Sequence, residues 1–333
     1  PGYAMTRFYT TEGEDLESVA DLLRYGELVA LPTETVYGLA GDALREEVVR
    51  KIFKVKMRPF INPLIVHVAG LEQVGEIAEV PLELEDLAVQ FWPGPLTVVL
   101  PKKAVVPDLV TAGLPSVAVR MPAHPFMREV LRRSRLFLAA PSANPFGYLS
   151  PTCAAHVLES FGEKIVHIVD GGQCAHGIES TVLGLQDPQN PVLLRPGPIG
   201  RRQMEAVLGR PIREMAGHSE AQAQQSPGNL KKHYSPHTPV ELLPHGVKEI
   251  SQSDELPTAC VFYSKGDTSI TMPPFVDAFW LTEDGDSETA ARNLFTLLRK
   301  LDGGQRYARI LVEEAPDAGL GNVVNDRLRR AAQ

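Results

Sequence analysis

"LPTETVYGLA", Leu31 to Ala40, sets a proline, two threonines around a glutamate, a tyrosine and a glycine between two apolar runs. Directly before it, Glu27 to Leu31 is a short apolar run of strand length. Before that, Glu14 to Tyr25 places Leu16, Val19, Ala20, Leu22 and Leu23 on one helical face, with Gly26 as a natural stop. Helix, strand and then a polar turn at the strand's end predict an α/β sheet. The alternation continues, with helices expected around Val48 to Phe53, Leu82 to Trp92, Pro125 to Arg133 and Thr152 to Phe161. Strands are expected at Leu64 to Val68, Leu96 to Leu100, Val117 to Met121, Leu136 to Ala140, Ile165 to Val169, Thr181 to Leu185 and Val192 to Leu194. Because many of these strands are short and separated by Pro and Gly turns, the expected sheet is mixed and twisted rather than purely parallel.

That domain is expected to span 1–210. Composition then shifts: "HSEAQAQQ", His218 to Gln225, is polar and aperiodic, and "SPGNLKKHYSPHTP" follows with three prolines. This predicts a linker over 211–238. Behind it, strands at Ala259 to Tyr263 and Ile310 to Glu313, with helices at Glu288 to Leu301 and Gly321 to Arg330, predict a small α/β domain over 239–333.

Charge and composition exclude several classes. The 333 residues carry a net charge of −8 with a pI near 5.7, so any nucleotide or phosphate contact must come from a local basic site rather than from the surface as a whole. With no apolar run of transmembrane length and no signal-peptide pattern, a cytoplasmic protein without membrane contact is expected. Cys153, Cys174 and Cys260 are far apart and odd in number, which suits reduced thiols. Cys174-Ala175-His176 offers two metal ligands without partners, and no bound metal is expected there. The sequence lacks a P-loop, a G-x-G-x-x-G turn after a strand, H-E-x-x-H, G-x-S-x-G and C-x-x-C.

What remains is a series of polar clusters at strand ends, the edge where open α/β sheets bind ligands. The first is the opening quotation. In "KVKMRPFINPLIVHV", Lys54, Lys56 and Arg58 precede Asn62 and His67; closely spaced lysine and arginine suit phosphate, or else form a solvated helix end. His67, after three apolar residues, is either a core histidine or a ligand contact. In "LPSVAVRMP", Ser116 leads to Arg120, whose charge inside an apolar run needs a partner, from a structural carboxylate or a substrate one. "AAPSANPFGYLSPT" carries Ser142, Asn144 and Ser150 on a Pro/Gly turn. "DGGQCAHGIESTVL" and "LLRPGPI", with Arg195, complete the series. Together they suggest one polar pocket for an anionic ligand.

"LPTETVYGLAGDA", "KMRPFINPL", "PSAN", "GIESTV" and "LRPGPI", in this order, closely resemble the YrdC-like family of threonylcarbamoyl-AMP synthases, and the linker with its small domain resembles the two-domain, Sua-type branch. The resemblance implies an open, YrdC-like α/β domain and a Rossmann-like C-terminal domain. It implies condensation of L-threonine, bicarbonate or CO2, and ATP into threonylcarbamoyl-AMP and pyrophosphate, feeding modification of the adenosine beside the anticodon of tRNA. The implied partners are the downstream tRNA threonylcarbamoyl-transferase complex and, as a candidate contact, tRNA itself. Thr35, His67, Arg120, Ala140 and Ser180 would surround threonine. Arg58, Asn62, Ser116, Ser142, Asn144, Ser150 and Arg195 would surround ATP, and Tyr234 of "HYSP" would reach over the nucleotide from the linker, which would act as a lid. Lys56 and Arg58 are the expected catalytic cations, with Mg²⁺ arriving on the triphosphate and no tightly held protein metal. An alternative is a structured-RNA binder of the same fold without chemistry; Arg132, Arg133 and Arg135 are its small basic run, or a solvated helix end.

Overall fold

The computed structural model describes residues 5–214, 234–250, 255–266 and 270–333. Most of the expected linker, 215–233, lies outside the described residues, and no helix is long and apolar enough to cross a membrane.

The chain divides into two units. The first runs, in order, β1 (Arg7–Tyr9), α1 (Gly13–Arg24), β2 (Val29–Leu31), β3 (Gly38–Asp42), α2 (Glu46–Lys56), β4 (Ile65–His67), α3 (Leu71–Ile77), α4 (Leu82–Phe91), β5 (Leu96–Pro101) and α5 (Asp108–Thr111). It continues with β6 (Ser116–Arg120), α6 (Pro125–Ser134), β7 (Leu138–Ala139), α7 (Ala154–Phe161), β8 (His167–Val169), β9 (Thr181–Gly184), β10 (Val192–Arg195), α8 (Arg201–Leu208) and β11 (Arg213–Glu214). The eleven strands form one sheet in the order β1-β8-β2-β3-β7-β4-β6-β5-β9-β10-β11. As the turn-rich sequence suggested, it is mixed: β4 lies parallel to β6 and β5 to β9, whereas β7–β4 and β5–β6 are antiparallel.

Local sequence explains the helices. In α2, Val48, Val49, Ile52 and Phe53 fall on one face and are buried, each such side chain contributing roughly 1.5–3 kcal/mol by leaving water. Glu46 and Glu47 occupy its first turn and Lys54 and Lys56 its last, matching the helix dipole. Strand alternation then sorts the sheet's two faces. Val66, Val98, Leu100, Val117, Val119 and Leu183 enter the main core with α2, α3 and α4, while Val99, Ala118, Val182 and Leu194 form a separate apolar patch with Ile65 beside it. A third core packs α1 and α6 on β2 through Val19, Leu23, Leu31, Met127 and Leu131.

The second unit takes in Gly147–Ser150 and His176–Ile178 besides the residues described from 234 onward. Its elements are β12 (Val240–Leu243), β13 (Thr258–Ser264), β14 (Val276–Thr282), α9 (Ser287–Gly303), β15 (Arg309–Glu313) and α10 (Gly321–Ala331). The four strands form an all-parallel sheet in the order β12-β15-β13-β14. Arg299 of α9 donates to the backbone carbonyls of Leu149 and Ser150 and lies 4.8 Å over the Tyr148 ring. Asp302 accepts from Tyr148 Oη at 2.8 Å, from the Thr238 amide at 2.8 Å and from His237 Nδ1 at 3.1 Å. These contacts join the two short segments to the unit, a non-contiguous arrangement that a shift in composition along the chain does not display.

Candidate functional site

Strand register in the first unit sorts the expected residues between two ends. His67 lies opposite Arg120 at the carboxyl ends of the parallel pair β4–β6. Ser116 opens β6, four residues earlier, and so stands roughly 13 Å away at about 3.3 Å per residue. Asn62 and Arg58 precede β4 at that same end. Because β7 runs antiparallel to β4, its continuation through Ser142 and Asn144 also arrives there, Ser142 bridging Gly38; Ala140, expected with threonine, lies between the two ends, its amide donating to Ile65 O at 3.3 Å. Ser116, Ala118 and Arg120 share one face by alternation, so Ala118, beside Ile65, forms an apolar floor between the ends.

At the carboxyl end, Arg120 is 3% exposed. Its Nη1 donates to Thr35 Oγ1 at 2.9 Å, its Nε to Gly94 O at 3.3 Å, and its Nη2 pairs with Glu34. The partner that a buried arginine requires is therefore a carboxylate of the opening turn, whose other oxygen accepts the Ala123 amide at 3.0 Å. Burial opposes ionisation of Glu34, but the charge and hydrogen bond of Arg120, with the backbone amides, outweigh it and hold the carboxyl below its ordinary value. The turn itself is tied by Thr33, whose Oγ1 donates to Val36 O at 2.6 Å and accepts the Thr35 and Val36 amides at 3.1 and 3.2 Å. Tyr37 anchors it further: its hydroxyl donates to Gly172 O at 2.8 Å and accepts the Gly171 amide at 3.0 Å.

His67 is buried and donates Nδ1–H to Leu138 O at 3.3 Å, which leaves Nε2 as an acceptor. Burial, and then the positive charge of Arg120, push its pKa down to about 3, so the ring is neutral at physiological pH. Register also brings Thr97 of β5 opposite Arg120 and Thr181 beside Leu96. Ser180 thus sits at the Arg120 end, its Oγ 2.8 Å from Thr97 Oγ1. Arg195, expected with the nucleotide, reaches this end too. A register shift between Leu193 and Arg195 re-aims the strand, and Arg195 donates to Ser180 O at 3.0 Å and to Ser180 Oγ at 3.2 Å. Gly197 explains the "RPGPI" turn: a Cβ there would lie 2.3 Å from the Thr181 nitrogen, so only glycine permits this approach.

At the other end, Lys56 is 1% exposed and its Nζ donates to Ser142 O and Asn144 O, each at 2.5 Å. The "PSAN" turn is thus built on the last residue of α2. Burial, and secondarily the charge of Arg58, pull the Lys56 pKa well below its ordinary value. Arg58 donates to Asn62 O at 3.3 Å and Pro63 O at 2.8 Å, folding the loop after α2 around its guanidinium. Asn62 is 3% exposed and its Nδ2 is a buried donor with no partner among the described residues. A polar group so placed is costly unless a ligand completes it.

Ser150 and Tyr234, also expected with the nucleotide, belong to the second unit. Tyr234 is buried in that unit's core, with its ring 5.5 Å from Phe295 and the Arg327 guanidinium 5.4 Å from its centroid. No group of three or more His, Cys, Asp or Glu that could hold a metal occurs among the described residues, Cys174 and His176 included. Two residues without an assigned part in the sequence reading, Glu34 as the arginine's partner and Thr97 as the serine's, belong to the site.

Comparison with known proteins gives a consistent set of likenesses. The Sua5–YciO–YrdC family model, described as "Telomere recombination", matches residues 21–197, and that described as "Threonylcarbamoyl-AMP synthase, C-terminal domain" matches residues 199–333. The threonylcarbamoyl-AMP synthase of Pyrococcus abyssi is 42% identical over 316 residues, covering 94% of this chain and 92% of the relative. The synthase of Bacillus subtilis is 39% identical over 333 residues, covering 97% and 94%. The crystal structure of P. abyssi Sua5 complexed with L-threonine matches with a TM-score of 0.87 at 39% identity, covering 98% of each chain. Escherichia coli YciO, at a TM-score of 0.54 and 16% identity, covers 60% of this chain and all of its own, a likeness of fold alone.

Proposed function

The chain belongs to the Sua5–YciO–YrdC family and carries that family's threonylcarbamoyl-AMP synthase C-terminal domain, and from this premise we propose how its residues divide the reaction. The function is threonylcarbamoyl-AMP synthesis, a nucleotidyl transfer. The proposal assigns L-threonine to the carboxyl end of β4 and β6, where Arg120, Thr35, His67 and Ser180 converge, and ATP to the opposite end, where Arg58, Asn62, Ser116, Ser142 and Asn144 gather. Arg195, bonded to Ser180, stands with the threonine group. The separation of Arg120 and His67 from Ser116 along one strand pair, over an apolar floor, carries the proposal; the Thr35 turn, bonded to Arg120 and with Tyr37 O accepting the Ala143 amide at 2.8 Å, reaches between the two sets.

The arrangement suits a reaction between two bound substrates. The neutral threonine amine forms an N–C bond to CO2 released from bicarbonate, the amine's proton leaving with the bicarbonate hydroxyl as water, to give a carbamate. One carbamate oxygen then attacks the α-phosphorus of ATP, the bond from that phosphorus to the bridging oxygen breaks, and pyrophosphate leaves with the electron pair. Since the nucleophile is already anionic, the protein's part is to hold the ends in line and neutralise charge. A neutral His67 accepts a hydrogen bond from substrate at Nε2 without competing for its proton. Arg58 provides phosphate charge compensation, and Lys56 supports it by fixing the Ser142–Asn144 turn. Mg²⁺ is assigned to the phosphates of the nucleotide rather than to a protein cage. The acyl-adenylate would pass to an enzyme that transfers threonylcarbamoyl to the adenosine beside the anticodon in tRNA.

Binding calorimetry on two variants tests the division. Arg120→Ala should weaken threonine while sparing ATP, and Arg58→Ala should do the reverse. Equal weakening of both ligands in both variants would contradict it.

A further inference from the structure

The hydroxyl of Ser180 has two neighbours, and counting protons decides what it can offer a substrate. Arg195 Nη2, a donor only, gives one hydrogen bond to Ser180 Oγ at 3.2 Å. The second neighbour is Thr97 Oγ1 at 2.8 Å, where either oxygen could be the donor. Thr97 is 0% exposed, and Ser180 Oγ is the single hydrogen-bond partner of its hydroxyl among the described residues. If Ser180 donated to Thr97, the Thr97 proton would be left unsatisfied inside the sheet, an arrangement that costs free energy. If Thr97 donates, both its proton and the two lone pairs of Ser180 are satisfied. Only the Ser180 proton then remains, at the strand end that Thr97 shares with Arg120.

We propose that Thr97 is a positioning residue: with Arg195 it turns Ser180 into an obligate hydrogen-bond donor, directed at a carboxylate oxygen of the bound amino acid. This rests on the assignment of threonine to the Arg120 end. It gives a reason for a threonine in "LTVVL", where valine would pack equally well and fit the strand. Because the amino-acid carboxylate does not change during attack on phosphorus, the effect falls on binding and not on turnover.

The test is steady-state pyrophosphate release by the full chain, comparing wild type with Thr97→Val, which keeps shape and removes the hydroxyl, and Thr97→Ser, which keeps the hydroxyl. The expected result is a threonine KM raised roughly tenfold in Thr97→Val, with kcat and the ATP KM unchanged, and near-wild-type behaviour in Thr97→Ser. A threonine KM unchanged in Thr97→Val overturns the inference, as does equal impairment of the two variants. A joint change in kcat and both KM values with a lowered unfolding temperature also overturns it, because that pattern marks a merely structural residue. Wild-type protein that releases no pyrophosphate in response to threonine would instead overturn the functional assignment beneath it.

Discussion

Glu34 and Arg120, 86 positions apart in sequence, form a buried ion pair at the end of the large sheet, with side chains 9% and 4% exposed. The pair offsets the arginine's charge before any substrate arrives and fixes the guanidinium plane through Thr35 and Gly94 as well. Removing one partner strands the other in low dielectric. Glu34→Gln is therefore expected to lower stability by about 3–5 kcal/mol. In a double-mutant cycle with Arg120→Leu, the double variant should lose markedly less than the sum of the single losses. Additive losses in denaturant titrations would show that the pair is not coupled.

His67 makes the stability of the protein sensitive to acid. Its folded pKa, near 3, lies below the ordinary histidine value of 6.5. Between these two values the unfolded chain binds a proton that the folded chain does not. Stability is fully present above pH 6.5 and falls as pH drops toward 3, by about 1.4 kcal/mol per pH unit. Urea titrations at pH 7 and pH 5 should show this loss, and His67→Asn should reduce the slope by one proton. An unchanged slope in the variant would contradict a buried neutral ring.

Lys56 supports the nucleotide end through two carbonyls. Lys56→Met keeps the length of the side chain but leaves Ser142 O and Asn144 O without that donor. The expected result is a loss of stability of about 1–3 kcal/mol together with a raised KM for ATP and an unchanged affinity for threonine. Calorimetric titration with each substrate checks the asymmetry. Weakened threonine binding of the same size would contradict the separation of the two ends.

Gly197 and Gly75 make a controlled pair. A Cβ on Gly197 would strike the backbone at Ser180 and Thr181, whereas one on Gly75 in α3 meets nothing within 4 Å. Gly197→Ala is expected to destabilise the protein and disturb Ser180, while Gly75→Ala should be neutral or stabilising by up to about 1 kcal/mol. Thermal unfolding of both variants tests this. Similar melting temperatures would mean that the Gly197 turn yields easily.

Much of this fold is legible in the sequence because apolar runs and helical periodicity are local signals. The runs leading to Leu31, His67, Leu100, Arg120 and Val169 all became strands at or near their expected positions. β3 and β14, like β1, β11 and β12, lie outside the expected strands. "GLAGD" holds two glycines, and "VDAFWLT" mixes charge with aromatics; both become strands because neighbouring strands pair with them. The helices at Leu71–Ile77 and Arg201–Leu208 are short, and their pattern is weak without the sheet they cover.

The candidate site was readable in its motifs and opaque in its pairings. Glu34 is the single charge in 28–40, and Arg120 the single charge in 116–123. Two lone, opposite charges in apolar runs hint at each other, yet only sheet topology brings them together. Thr97 gives no local signal at all, because the face of β5 that it occupies is defined by the partner strands.

Pyrophosphate release from ATP by the purified protein, with threonine and bicarbonate omitted in turn, is the decisive measurement of the synthase activity. Release is expected to require both, with serine a poor substitute for threonine. Release of equal rate without threonine would contradict it, as would the absence of release with all three substrates present.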